Sequence, residues 1–177
     1  MADKPQALAL RPGPSAMVPL LLAMGLTWLD QATKIWVRTD FALGESRPII
    51  EGFFKYTHLR NPGAAWGMFS GHSMWLTLLS FVMLGLVVIF RRSFLSDTWE
   101  HRIALGFMSG GILGNLMDRV RWGYVVDFLD FRIFGYPWPV FNVADSAICI
   151  GVGLYIVSSF WMKAHPLHES RTPTRSE

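Results

Sequence analysis

The chain has 177 residues, of which 51% are hydrophobic, 14% aromatic and 16% charged. Charged residues fall well below the roughly 25% of an ordinary soluble domain, and the apolar ones are clumped into runs, the pattern of a compact, single-domain polytopic membrane protein. The net charge of +3 does not argue for nucleic acid, because the 16 Lys and Arg are scattered, nearly all singly, and cluster at the edges of apolar runs, where membrane proteins keep them.

In chain order, residues 1–16 are a polar, Pro-rich lead-in, expected to be flexible and cytoplasmic. Residues 17–37 form the first apolar run. A basic lead before an apolar stretch can mark a signal peptide, but no small-x-small cleavage site follows cleanly, and helical character continues through Asp30 and Lys34, so a retained span is expected. Residues 38–72 alternate β-branched and aromatic with polar residues, which predicts short strands on the membrane surface at about 41–66. Residues 73–90 are the second span, ended by Arg91 and Arg92. A third, short and Gly-rich, covers 102–119, and a fourth covers 142–162, before a polar tail at 163–177. Each is close to the roughly 20 residues needed to cross the hydrocarbon core. Residues 120–141 are aromatic-rich and read as a surface loop at headgroup level. The fold class expected is therefore an all-α integral membrane protein, a four-helix transmembrane bundle with a small surface β-sheet and a loop over the site. Eight of the basic residues belong to the termini and the 91–102 connector and eight to the two long connections with their adjoining span ends. The first set occupies fewer residues, and that density favours cytoplasmic termini.

If four spans alternate in direction, the polar residues at their ends fall at one membrane face. Asp30 and Lys34 close span one, Asn61 precedes span two, Asn115, Asp118 and Arg119 end span three, and Asn142 and Asp145 begin span four. Ionisable groups at such depth are expensive and usually serve a protein interior or a wet cavity. Asp30 and Lys34 are four apart and share a helix face, which fits a structural ion pair as well as a substrate contact. Gly106, Gly110 and Gly114 recur every fourth residue and lead to Asp118, a small-residue stripe for close helix packing. Asn142 followed three residues later by Asp145 has the form of a capping box, and capping alone would explain both. A carboxylate there is also favoured in its charged form by the helix dipole. Asp145 with an aspartate of Val126-Asp127-Phe128-Leu129-Asp130 would make a carboxylate pair sharing one proton, and the residues alone do not choose between Asp127 and Asp130. No pair of the five histidines has metal-ligand spacing near a carboxylate, and no metal or other cofactor is expected. The single cysteine, Cys149, excludes an internal disulfide and reads as a small buried hydrophobe away from the polar face.

These blocks resemble the lipoprotein signal peptidases (signal peptidase II). Asp30-Gln31-x-x-Lys34, Asn61-Pro62-Gly63-Ala64-Ala65-Trp66, Gly114-Asn115-x-x-Asp118-Arg119, Val126-Asp127-Phe128 and Phe141-Asn142-x-Ala144-Asp145 stand in the family's order over residues 30–145. Trp66 replaces the family's usual Phe. The resemblance implies an aspartic endopeptidase of the bacterial inner membrane, with its small β-sheet and site on the periplasmic side. It would remove signal peptides from prolipoproteins, cutting just before a diacylglyceryl-modified cysteine, and would be sensitive to globomycin. The resemblance assigns the catalytic pair to Asp127 and Asp145. Supporting or substrate-binding roles would fall to Asp30, Lys34, Asn61, Gly63, Asn115, Asp118, Arg119 and Asn142. Its partners would be diacylglyceryl-prolipoproteins and membrane lipids, not nucleic acid, and a monomer is expected. Two carboxylates sharing a proton would activate water and polarise the scissile carbonyl. The rival reading is a small proton-coupled transporter subunit, disfavoured because the polar residues gather at one face instead of lining a path. A non-catalytic assembly factor, its polar residues serving only helix packing, is a third reading.

Overall fold

A computed structural model describes residues 14–63, 73–89 and 99–164. Residues 1–13 and 165–177 of the polar ends, Ala64, Ala65 and Trp66, and the 91–98 connector lie outside the described residues, while 14–16 and 163–164 belong to helices. The elements are α1 (Pro14–Asp40), β1 (Ser46–Ile50), β2 (Phe54–Asn61), α2 (Ser73–Ile89), α3 (Trp99–Trp122), β3 (Val125–Ile133), β4 (Tyr136–Pro137) and α4 (Val143–Ala164).

α3 is the hub, packing against α4 and α1 and, less extensively, α2. Its glycines make this possible. A Cβ on Gly106 would sit 2.7 Å from Leu22 Cβ, and one on Gly110 would sit 2.9 Å from the Ala23 carbonyl, so α1 lies against bare backbone. On the other side of the hub, a Cβ at Gly151 of α4 would come within 2.8 Å of the Ala104 carbonyl. Such contact trades side chains for close backbone approach, the usual device where lipid removes the hydrophobic drive between helices. α2 buries no residue, and the outer faces of α1 and α4 expose Leu20, Leu21, Met24, Trp28, Val157, Phe160 and Trp161. A helix apolar on its outward face needs an apolar solvent. Among the described residues one helical stretch, Val143–Trp161, is long and apolar enough to cross a membrane, and Ser73–Ile89 is a shorter apolar helix.

The four strands form one antiparallel sheet in the order β1-β2-β3-β4. This corrects the reading of residues 120–141 as a loop, since β3 and β4 supply half the strands. Val125, Val126, Asp127 and Phe128 are all buried. A strand covered on both faces loses the period-two alternation that betrays a half-buried one. Val126 and Phe128 meet Val37 near the end of α1 in a small fully buried cluster, which fixes the sheet to the bundle. Pairing of Leu59 with Asp127 and of Asn61 with Val125 brings the end of β2 beside the start of β3.

Candidate functional site

Two clusters form where the helix ends meet the sheet. The first is closed. Lys34 is fully buried and spends its three protons on Asp30 at 2.9 Å, Asp118 at 3.1 Å and the Asn115 Oδ1 at 2.9 Å. Both aspartates are occupied elsewhere as well. Asp30 accepts the Ala144 amide at 2.9 Å, capping a free N–H of the first turn of α4 from a different helix. Asp118 accepts the Val126 amide at 3.0 Å and the Gln31 side chain at 3.0 Å, tying α3 to the start of β3 and to α1. Of the two readings of Asp30 and Lys34, the structure places them in a buried ion pair that reaches the cavity lining through Asn115.

The second cluster is open. Asp127 and Asp145 line one cavity of about 580 Å³, with Asn61, Asn115 and Arg119. Asp127 accepts from Asn142 Nδ2 at 2.7 Å and from Asn61 Nδ2 at 2.8 Å. Asp145 accepts from Asn115 Nδ2 at 2.7 Å and from the Asn142 backbone N–H at 3.3 Å. The Asp145 amide in turn donates to Asn142 Oδ1 at 3.0 Å, completing a reciprocal capping box. Capping and contact with the other carboxylate thus coexist, because the Asn142 side chain has one group for each.

All three asparagines are held the same way round. The oxygen of Asn115 is taken by Lys34, that of Asn142 by the Asp145 amide, and that of Asn61 by the Gly63 amide at 2.9 Å. An amide whose oxygen is engaged by a donor must turn its NH₂ the other way. Each NH₂ therefore faces a carboxylate. Lys34 and Gly63 orient donors toward Asp127 and Asp145 without touching either carboxylate, and the Asp145 backbone amide does the same for Asn142. Arg119 lies within electrostatic reach of Asp145, Asp127 and Asp118, and its NH1 approaches Ser80 Oγ at 3.4 Å. Among the described residues no cation stands within ion-pair distance of Asp127 or Asp145. Burial first, and the Asp145 charge second, push the Asp127 carboxyl up to about 7.

Asp130 is directed elsewhere, accepting Thr57 Oγ1 at 2.8 Å and pairing with Lys55 at 3.2 Å. It borders a separate cavity of about 280 Å³ with Glu51 and Arg132. Two features escaped the sequence reading. Gln31, inside the Asp30-Gln31-x-x-Lys34 block, also donates to the Gly114 carbonyl at 3.1 Å. Cys149 is exposed and lines the cavity holding the two carboxylates, which corrects its placement away from the polar face. The signal was present in the numbering, since Cys149 follows Asp145 by four residues and shares its helix face. Trp138, Pro139, Val140 and Phe141 form another part of the wall.

Residues 22–161 match the family model described as signal peptidase (SPase) II. The chain belongs to the signal peptidase II family. A lipoprotein signal peptidase of Desulforapulum autotrophicum is 44% identical over 148 residues, covering 78% of this chain and 89% of that one. Its counterpart from Geobacter sulfurreducens is 45% identical over 139 residues, covering 77% and 87%. Among solved structures, a bacterial membrane enzyme superposes with a TM-score of 0.78 at 35% identity, over 86% of this chain and 93% of its own. A second has a TM-score of 0.71 at 38% identity, over 81% and 92%. Membership of the signal peptidase II family makes the chain an integral membrane protease and leaves the transporter reading without support.

Proposed function

We propose that this protein removes signal peptides from prolipoproteins as an aspartic endopeptidase, with Asp127 and Asp145 as its catalytic pair. The observation that carries the reading is the joint exposure of these two carboxylates to one cavity, with Asn142 bonded to both. Asp127, pushed up to about 7, is the member that holds the shared proton and polarises the scissile carbonyl. Asp145, at the positive end of α4, is the base that activates water. Arg119 and the three oriented amides hold the acids in place as charge develops. Hydrolysis then needs no metal, because the pair supplies both the acid and the base.

The finer reading follows the family. Four helices span the bacterial inner membrane, the termini are cytoplasmic, and the site opens at the periplasmic face. The enzyme works as a monomer, its substrate's diacylglyceryl chains are held by the surrounding lipid, and cleavage falls just before the modified cysteine. The test is release of the signal peptide from a lipid-modified precursor by purified protein in EDTA. Cleavage that survives chelation and stops with globomycin is expected; a metal-restored activity, or none, would overturn the reading. Thiols placed by Ser46→Cys and by Ser96→Cys, each in a Cys149→Ser background, should respond oppositely to an impermeant reagent in spheroplasts. Labelling of Ser96→Cys alone would invert the topology.

A further inference from the structure

We propose that the segment Trp138–Phe141 is the edge on which substrate docks, with the Val140 backbone pairing with one extended residue beside the scissile bond. This rests on the peptidase reading and adds to it the surface that aligns the peptide. In extended chain, the N–H and C=O of one residue point to one side and those of the next to the other. Phe141 turns both toward β3, donating to the Leu129 carbonyl at 3.1 Å and accepting from Phe128 at 3.0 Å and Leu129 at 2.8 Å. Trp138 also faces β3, donating to the Phe131 carbonyl at 2.8 Å. The stretch between the two anchors is therefore one residue longer than regular alternation allows, and this bulge leaves Val140 without a partner on β3. Val140 lines the cavity that holds Asp127 and Asp145, and among the described residues nothing is bonded to its N–H.

The sequence makes this opening narrow. Pro137 and Pro139 have no N–H, and the Trp138 N–H is spent on the Phe131 carbonyl at 2.8 Å. Of the backbone N–H groups of residues 137–140, that of Val140 is thus the one left for a peptide. Alternating prolines stop a free edge from recruiting any passing strand. What remains is a two-bond docking point, long enough to register a short extended peptide and too short to zip up a second copy of the chain. An extended peptide added to a sheet edge gains affinity from main-chain bonds whatever its side chains are. That suits an enzyme whose precursors differ in sequence. The occupant is the precursor segment flanking the cleaved bond, because the edge and the carboxylate pair border one space.

The experiment compares lipid-modified precursor peptides, each carrying one backbone N-methyl group at a different position around the scissile bond. With the wild-type enzyme, one position should raise KM about five- to tenfold while the others change it little. Val140→Pro, which removes the N–H and leaves Phe141 paired, should raise KM comparably and abolish the extra penalty of the sensitive peptide. Val140→Ala, which keeps the N–H, should preserve that methyl sensitivity. Val140→Pro with an unchanged KM, or a penalty that adds in full to the methyl effect, would overturn the proposal. If Val140→Pro fails to fold by thermal melting, the wild-type scan decides, and the absence of any sensitive position overturns it. Failure of wild-type enzyme to cut the unmethylated peptide would instead defeat the peptidase reading itself.

Discussion

The molecule builds two clusters from the same residue types within a few turns of each other, and they differ in one respect. Asp30 and Asp118 are buried with Lys34 between them, so each carboxylate is paired with the one cation and every proton on that cation is committed. Asp127 and Asp145 have amides in place of the cation and border a cavity. Amide donors favour the ionised carboxylate, but burial outweighs them at Asp127, whereas an adjacent ammonium would favour the ionised form more strongly. The closed cluster ties α1 and α3 to the starts of α4 and β3, and in the proposed function the open one retains a proton that can move. Asn115 joins them, with Lys34 on its oxygen and Asp145 on its NH₂.

The comparison breaks most visibly at Lys34. Lys34→Met should leave Asp30 and Asp118 buried and unpaired, a loss of about 3–5 kcal/mol, and folded protein should fail to accumulate. A folded, active Lys34→Met would show that the closed cluster is not the scaffold. The open cluster should instead be breakable from the cavity. A bulky maleimide on Cys149 should block cleavage of the wild type and spare Cys149→Ser, because the thiol lines the same space; equal sensitivity of both would place it elsewhere.

A smaller effect sharpens the electrostatic half of the contrast. The Asp127 carboxyl is raised in the folded state, from an ordinary 3.8 to about 7. A raised carboxyl contributes stability that is complete below its unfolded value and is lost as pH rises through the folded one. The melting midpoint should therefore decline between about pH 4 and pH 8. Asp127→Asn should flatten that decline, since its amide does not titrate; an unaltered slope would assign the loss to another group.

Much of this contrast was legible in the sequence. Asp30, Lys34, Asn61, Asn115, Asp118, Asn142 and Asp145 read as lying toward the same ends of alternating spans, and the fold brings them into two neighbouring clusters. Asn142 and Asp145 read as a capping box and form one. What the local pattern missed is that an asparagine engaged at its oxygen still has an NH₂ to give, here to Asp127. The choice of Asp127 over Asp130 was not local either. Both aspartates are buried on β3. The irregular pairing of β2 between Tyr56 and Leu59 sets their partners, giving Thr57 and Lys55 to one and Asn61 to the other. β3 itself stayed hidden because burial on both faces erased its alternation. The Val140 edge depends on strand pairing that no residue pattern announces.

The central claim is that Asp127 and Asp145, and not the other buried aspartates, carry the hydrolysis. The direct measurement is the rate of signal-peptide release, in EDTA, by purified Asp127→Asn, Asp145→Asn and Asp130→Asn, each shown by melting to be folded. The first two should each lose about 10²–10⁴-fold or more, because Asn keeps the shape and can neither take nor share the proton. Asp130→Asn, whose partners are Thr57 and Lys55, should retain substantial cleavage. Near wild-type turnover by either of the first two, or complete inactivation of Asp130→Asn alone, would contradict the account.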